Sequence, residues 1–429
     1  MPPHSHTAPE NKRALWSWAV YDWANSAFFT IILTFVFAQY FSTSVVQDEV
    51  AGTNAWGNIV GISGVFIAIL APILGAIADQ SGRRKPWLIS FTLLCVLSSA
   101  MLWTVMPETN QFWKAAFWVG LGTLGAEFAF IFYNAMLPDL ARPERTGRWS
   151  GWAWGLGYVG GIASLVIALY GFIEADTALF GLDRDTAEHV RATFVLVAIW
   201  YLVFSLPAFL FIPDRPKTGL GLAAATRAGF AQLKESIAHV RQYRDIVRFL
   251  IARMLYTDGL ATIFTFGGVY AAGTFNMSPT EVLQFAIALN VTAGLGALGF
   301  AWIDDALGGR NTILLALVGL GSSALAILVV ESSTAFWVWG MILGIFVGPL
   351  QSASRSHLAR VAPPHLQTQM FGLFAFSGKA TAFAGPLLVG WVTAMTDSQR
   401  WGMSTILVFL LIGFVLMLKV PATEEKTPD

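Results

Sequence analysis

Twelve separate stretches of this chain, each twenty to twenty-eight residues long, run almost without charge. They cover 14–41, 55–78, 87–106, 113–138, 149–173, 191–212, 247–272, 281–303, 311–330, 334–358, 368–395 and 400–420. The hydrocarbon core of a bilayer, about 30 Å thick, is crossed by about 20 residues of helix at 1.5 Å per residue. Inside it every backbone N–H and C=O must be satisfied by the protein, which leaves helices and closed barrels. Barrel strands alternate apolar and polar positions, whereas these runs are apolar throughout. The fold class is an all-α membrane protein with twelve transmembrane helices.

Charged residues make up 12% of the 429, about half the share usual in soluble domains. That excludes a soluble enzyme, a nucleic-acid binder and a disordered scaffold. The 26 basic and 26 acidic side chains balance, so no net field recruits a polyanion. The lone cysteine, Cys95, cannot form an internal disulfide or a cysteine metal cluster. No nucleophile–base set, nucleotide loop or metal-ligand spacing appears, so neither enzyme activity nor a cofactor or metal is expected. His357 and His365 read as interfacial residues.

Lysine and arginine counts set the orientation. With the N-terminus cytoplasmic, inner segments hold nineteen of them and outer segments four. Both termini are then cytoplasmic, and the expected location is a bacterial inner membrane, as a monomer. The first run is too long for a signal-peptide core and stays as a helix. The stretch 213–246 opens with Pro213 and Pro216 and continues basic and partly amphipathic through Phe230, Leu233, Ile237 and Val240. It divides the chain into a six-helix bundle (1–212), a cytoplasmic linker and a second six-helix bundle (247–429). The amphipathic face is expected to be solvated, with lipid or a regulator as the other reading.

The halves repeat faintly. Leu140-Ala141-Arg142 then Pro143 ends the fourth run, and Leu358-Ala359-Arg360 then Pro363 ends the tenth. Such repeats mark secondary transporters. The loop from Gly75 to Lys85 reads GAIADQSGRRK. There Gly75 permits close helix approach, Gly82 permits a turn at positive φ, and Asp79 and Arg83 offer opposite charges at a seam that opens and closes. In the second half AWIDDALGGRN keeps Asp305, Gly308 and Arg310 with the arginine displaced by one, so a gate there should be weaker or built differently.

The loop resembles the signature of the major facilitator superfamily, G-x-x-x-D-x-x-G-R-R-K. Four longer stretches narrow the resemblance: YDWANSAFF (Tyr21–Phe29), GRWSGWAWGLGYVGG (Gly147–Gly161), ARMLYTDGLATIFTFGGVYAAGTF (Ala252–Phe275) and MFGLFAFSGKATAFAGP (Met370–Pro386). Together they are similar to the branch of autophagy-related vacuolar amino-acid effluxers and their bacterial relatives. That resemblance implies two six-helix bundles in the major facilitator fold. In fungal members it implies export of neutral amino acids.

A charge inside a span costs roughly 2.5–3.5 kcal/mol even on the mildest scale, so each needs a reason. Six stand there: Asp22, Glu127, Arg253, Asp258, Arg355 and Lys379. Three acids against three bases suggest mutual neutralisation. Five of the six lie on the first, fourth, seventh and tenth spans, which in the fold implied above line the central cavity. Asp258 sits about 16 Å along its helix, near the midplane, where transporter sites are expected, and is the first candidate for proton coupling, with Glu127 next. Arg253 and Asp258, five residues apart, point about 140° away from each other, so each should reach another helix.

Tyr21, Asn25, Ser26, Asn134 and Tyr256 add hydrogen-bonding groups. A zwitterionic solute would find a base for its carboxylate in Arg355 or Lys379 and an acid for its ammonium on the other half. The gate is expected at Gly75, Asp79, Gly82, Arg83 and Arg84, with Asp139, Arg142 or the start of the eleventh span opposite. The function read from all this is a secondary active transporter, proton-coupled, for a small polar or amphipathic solute such as a neutral amino acid, working as an exporter. A non-transporting receptor on the same fold is the alternative. Gly57/Gly61, Gly151/Gly155, Gly157/Gly161 and Gly340/Gly344/Gly348 are expected to make close helix seams.

Overall fold

A computed structural model describes residues 10–174, 179–238 and 240–422. Twelve helices long and apolar enough to cross a membrane follow one another. They are α1 (Lys12–Val45), α2 (Ala51–Ser81), α3 (Lys85–Thr104), α4 (Thr109–Leu140), α5 (Pro143–Ile173), α6 (Glu188–Phe211), α7 (Arg244–Phe275), α8 (Thr280–Leu307), α9 (Gly309–Val329), α10 (Ser333–Val361), α11 (Gln367–Thr396) and α12 (Gln399–Leu418). The first six and the last six form two bundles. Large apolar side chains such as Ile62, Trp113, Leu210, Leu295 and Trp391 remain exposed, as lipid contact requires.

Each helix covers its expected run to within two residues. Two interiors depart from it. Within α1 the ladder loosens to π turns at Phe28–Phe35 and Phe41–Val45, where the Val36 N–H returns to Ile31, five residues back. Within α11 the helix breaks: one part is Gln367–Lys379, the next Ala384–Thr396. Pro386 lies in the first turn of the second part, and its ring and missing N–H disfavour a continuous ladder there.

The linker carries a helix, Leu222–Ala238, that lies on α2. Ala225 is fully buried, a Cβ at Gly229 would come within 2.9 Å of the Ile77 backbone, and Gln232 is hydrogen-bonded to Gln80. The face carrying Ala225, Gly229 and Gln232 is therefore held by protein. Phe230 is exposed and Leu233 half-buried, while the side chains of Ile237 and Val240 lie outside the described residues.

The bundles meet where α2 crosses α11 and α5 crosses α8. Glycine sets both approaches. A Cβ at Gly75 would come 2.5 Å from the Thr368 carbonyl oxygen, and Gly151 stands likewise against Ala297. Gly157 and Gly161 face α1, and Gly340, Gly344 and Gly348 face α8. Gly57 and Gly61 correct the expectation: a Cβ at either meets nothing within 4 Å. They lie on the part of α2 beyond its crossing, where Ile62, Val65 and Phe66 are exposed. The bundles are thus joined at the face carrying the arginine-rich loops, hereafter the basic face, and part towards the opposite face. Gly75→Val should force the crossing apart at a cost of about 1–3 kcal/mol and lower the apparent Tm of the purified protein by several degrees. Gly61→Val should leave the Tm within one degree. Equal shifts would mean that the crossing is not glycine-limited.

Candidate functional site

The seam at the basic face is built from opposite charges and helix starts. Asp79, at the end of α2, accepts the backbone N–H of Thr368 (3.1 Å) and of Gln369 (2.9 Å), the first turn of α11, where the helix dipole favours an anion. Gly82 turns the chain at φ 78°, and Arg84 then points back into the seam, only 2% exposed. Its guanidinium donates to Asp139 (2.9 Å), to the Ala135 carbonyl (2.6 Å), to Gln367 (3.1 Å) and to Thr368 (2.8 Å), and meets Asp79 at 3.4 Å. Burial pushes the Arg84 pKa down, against the pull of Asp139 and Asp79. Arg215, from the linker, adds a second clamp on Asp139 and donates to Gln367 (2.6 Å).

The second half repeats the scheme with different residues. Asp305 accepts the Arg148 backbone N–H at 3.0 Å, in the first turns of α5, as Asp79 does for α11. The guanidinium comes from α10 instead of the loop: Arg360 donates to Asp304 (2.6 Å) and meets Asp305 at 3.4 Å. Arg310 turns to the end of α12, donating to the Leu418 and Val420 carbonyls.

Above the seam lies a cavity of about 270 Å³, walled by Phe130, Asn134, Trp154, Arg253, Tyr256, Thr257, Leu260, Ala261, Phe264, Leu350, Gln351, Ser354, Arg355 and Phe374. Small-ligand pockets begin at about 300 Å³, so the occupant is small. Its floor is one buried cluster. Arg355, 1% exposed, donates to Asp22 (2.9 Å), Asn134 (3.2 Å), the Ser150 hydroxyl (2.9 Å) and the Ser150 carbonyl (2.7 Å). The ring of Trp18 lies 4.9 Å from its guanidinium carbon and that of Trp154 5.5 Å. A second pair, Lys379–Glu127 at 2.7 Å, joins α11 to α4. Both pairs run between the bundles.

Arg253 is different. It donates to the Phe374 carbonyl (2.6 Å) and the Ser377 hydroxyl (2.7 Å), lies 3.4 Å from the centroid of the Phe374 ring, and leaves Nε without a partner. Tyr256 shares a hydrogen bond of 2.7 Å with Ser354. Among the described residues, Arg253 is the cavity-wall cation with no carboxylate within salt-bridge distance.

Residues 57–427 match the family described as "Vacuole effluxer Atg22 like". The chain belongs to that family. It is a transporter of the major facilitator type. An uncharacterized MFS-type transporter, YxiO, of Bacillus subtilis (strain 168) is 26% identical over 96% of this chain and 95% of its own length. Autophagy-related protein 22-1 of Penicillium rubens is 26% identical over 65% of this chain, which spans half of that relative. The fold is shared with the human organic anion transporter MFSD10 (TM-score 0.73, 16% identity, 96% of this chain and 100% of that one). It is shared also with the fucose:proton symporter FucP of E. coli (TM-score 0.74, 12% identity, 96% and 99%).

Several expectations for this Atg22-like chain need correction. Arg83 does not reach Asp139 or the start of α11; it pairs with Asp214 at 2.7 Å with its side chain 40% exposed, and the buried arginine of the seam is its neighbour Arg84. Arg142 bonds through its backbone N–H to Glu10, outside the Asp79–Arg84–Asp139 cluster. The cavity wall comes from α4, α5, α7, α10 and α11 rather than from α1, whose Asp22 reaches Arg355 from behind; Asn25 is buried on α1 away from the wall. Lys379 and Arg355 are each already paired with a carboxylate, Glu127 and Asp22. Asp258 faces α11, not the cavity. His357 is buried against Phe249 rather than interfacial. Thr368, Gln367, Ser150 and Gln351 also take part in these clusters, and as neutral residues distant in sequence from the charges they serve they carry no mark of that in the sequence.

Proposed function

We propose that the protein is a secondary active transporter working by alternating access in a bacterial cell membrane, its basic face and both termini cytoplasmic. Its solute is a small amphipathic carboxylate, with apolar amino acids the class of best fit. Export driven by an ion gradient, in the first instance of protons, is the accompanying reading, supported by the effluxer description of the family. The observation that carries the solute class is Arg253: a half-buried cation without a carboxylate partner, in a cavity whose apolar wall is Phe130, Trp154, Leu260, Phe264 and Leu350 and whose other cation, Arg355, is held by Asp22. A carboxylate there would complete a charge-assisted pair, and the aromatic faces of Trp154 and Phe130 would receive an α-ammonium or an apolar side chain.

The test is counterflow of labelled leucine and phenylalanine in proteoliposomes, with competitors that lack one group at a time. Amino-acid amides should fail to compete, and 2-oxo acids should compete weakly or well according to how much the ammonium contributes. Arg253→Gln should weaken the apparent affinity for carboxylates tenfold or more, from the loss of about 1.5–3 kcal/mol of charged hydrogen bonding. Amides that compete as well as the acids would sink the carboxylate reading.

A further inference from the structure

Among the described residues, one buried carboxylate in the second bundle has no ion-pair partner. Asp258, near the middle of α7, is 2% exposed. Its Oδ1 accepts the Gly385 N–H at 3.3 Å, in the first turn after the break in α11, and its Oδ2 has no hydrogen-bond partner. Two hydroxyls stand beside it. Thr262 Oγ1 donates to the Asp258 carbonyl at 2.7 Å, and Thr381 Oγ1, within the break, donates to the Met254 carbonyl at 3.4 Å. The Thr262 hydrogen is committed to backbone, so its oxygen offers acceptor capacity, while the Thr381 hydroxyl also reaches the Asp258 carboxylate. A Cβ at Gly385 would fall on Thr262 Oγ1 and 3.0 Å from Asp258 Oδ1, so the space is open because residue 385 is glycine.

Among the described residues, these charged and titratable groups on the packed elements have other partners. Arg253 is turned to Phe374 and Ser377, Lys379 holds Glu127, and Arg355 holds Asp22. Arg400, on α12, caps the Leu328 and Val330 carbonyls, and Tyr256 is bonded to Ser354. An ionised carboxylate so enclosed is costly until a positive charge joins it. The carbonyl end of the first part of α11 points at the break with its negative dipole end, and such half-helix ends hold coupling ions in transporters.

We propose that Asp258, Thr262, Thr381 and the break in α11 form the site of the coupling cation. One positive charge, arriving as a proton or as a sodium ion, neutralises Asp258 and thereby sets how the second part of α11 stands on α7. This site is separate from the solute cavity, which takes Thr257, Leu260 and Ala261 from the same helix but not Asp258. The proposal rests on the transporter reading, yet its test uses no solute.

Apparent Tm of the full-length protein in nanodiscs is followed in choline medium, first with added sodium at fixed pH, then from pH 8 to pH 5 without sodium. A ligand of the native state raises Tm by mass action. In the parent, one of the two titrations should raise Tm by several degrees, and Asp258→Asn should flatten that response. The joint variant Thr262→Val/Thr381→Ala separates the sources: a sodium site should lose tenfold or more in apparent sodium affinity, and a proton site should keep its pH response. Should Asp258→Asn not fold, Asp258→Glu should move the midpoint of the same titration. A response in Asp258→Asn equal to the parent's, or an unmoved midpoint in Asp258→Glu, overturns the proposal.

Discussion

Asp22→Asn should be among the most damaging single substitutions in the chain, costing about 3–5 kcal/mol, the usual penalty for stripping one partner from a buried ion pair. Arg355 would keep Ser150 and Asn134 but lose its ion-pair partner, and its guanidinium is buried under Trp18 and Trp154. The amide that replaces the acid is nearly isosteric, so the loss reports charge and not a cavity. The double variant Asp22→Asn/Arg355→Gln separates two roles. With no uncompensated charge left, its thermal stability should recover most of the loss. Its transport should not recover, because the pair ties α1 of one bundle to α10 of the other beneath the cavity. Thermal unfolding and counterflow on the three variants check this. A double variant no more stable than Asp22→Asn would mean that the ion pair is not where the energy lies.

That pair was half legible in the sequence. In spans where charge is so scarce, Asp22, Glu127, Arg253, Asp258, Arg355 and Lys379 declare themselves by residue type alone, because each must have a reason to be there. Which acid meets which base is a matter of helix rotation across the seam, and rotation leaves little trace in an all-round apolar helix. The structure joins Asp22 to Arg355 and Glu127 to Lys379 and turns Arg253 and Asp258 apart.

The break in α11 had a signal in Pro386, whose ring in a continuous helix would clash with the carbonyl four residues back, at Ala382. Other parts had none. Arg83 and Arg84 are chemically alike and adjacent, and only the turn at Gly82 together with Asp214, which occupies Arg83, decides which guanidinium enters the seam. Asp214 and Arg215 read as ordinary linker charges because their partners, Arg83, Arg84, Asp139 and Gln367, lie far away along the chain.

The two arginines therefore make the sharpest test of the seam. Arg84→Gln should shift the protein towards a state open at the basic face by about 3 kcal/mol, roughly 150-fold in the ratio of states. The loss falls on contacts made between the bundles: Arg84 reaches Gln367 and Thr368 on α11 while held by Asp139 and the Ala135 carbonyl on α4. A protein that is 99% closed there would become about evenly divided. Arg83→Gln should change the ratio by a factor of about 2, since an exposed pair contributes well under 1 kcal/mol and Asp214 keeps its bonds to the Arg84 and Lys85 backbone. Asp79→Asn should fall between them, because an amide oxygen still accepts from one of the two N–H groups at the start of α11. The readout is a single cysteine at Gln351, on the cavity wall, in a Cys95→Ser background, labelled with a membrane-impermeant maleimide from each side of oriented vesicles. The parent should react from the face opposite the basic one, and Arg84→Gln from both. If Arg83→Gln and Arg84→Gln open the basic face equally, the buried contacts are not what holds it shut, and the exposed loop charges must act together through their field.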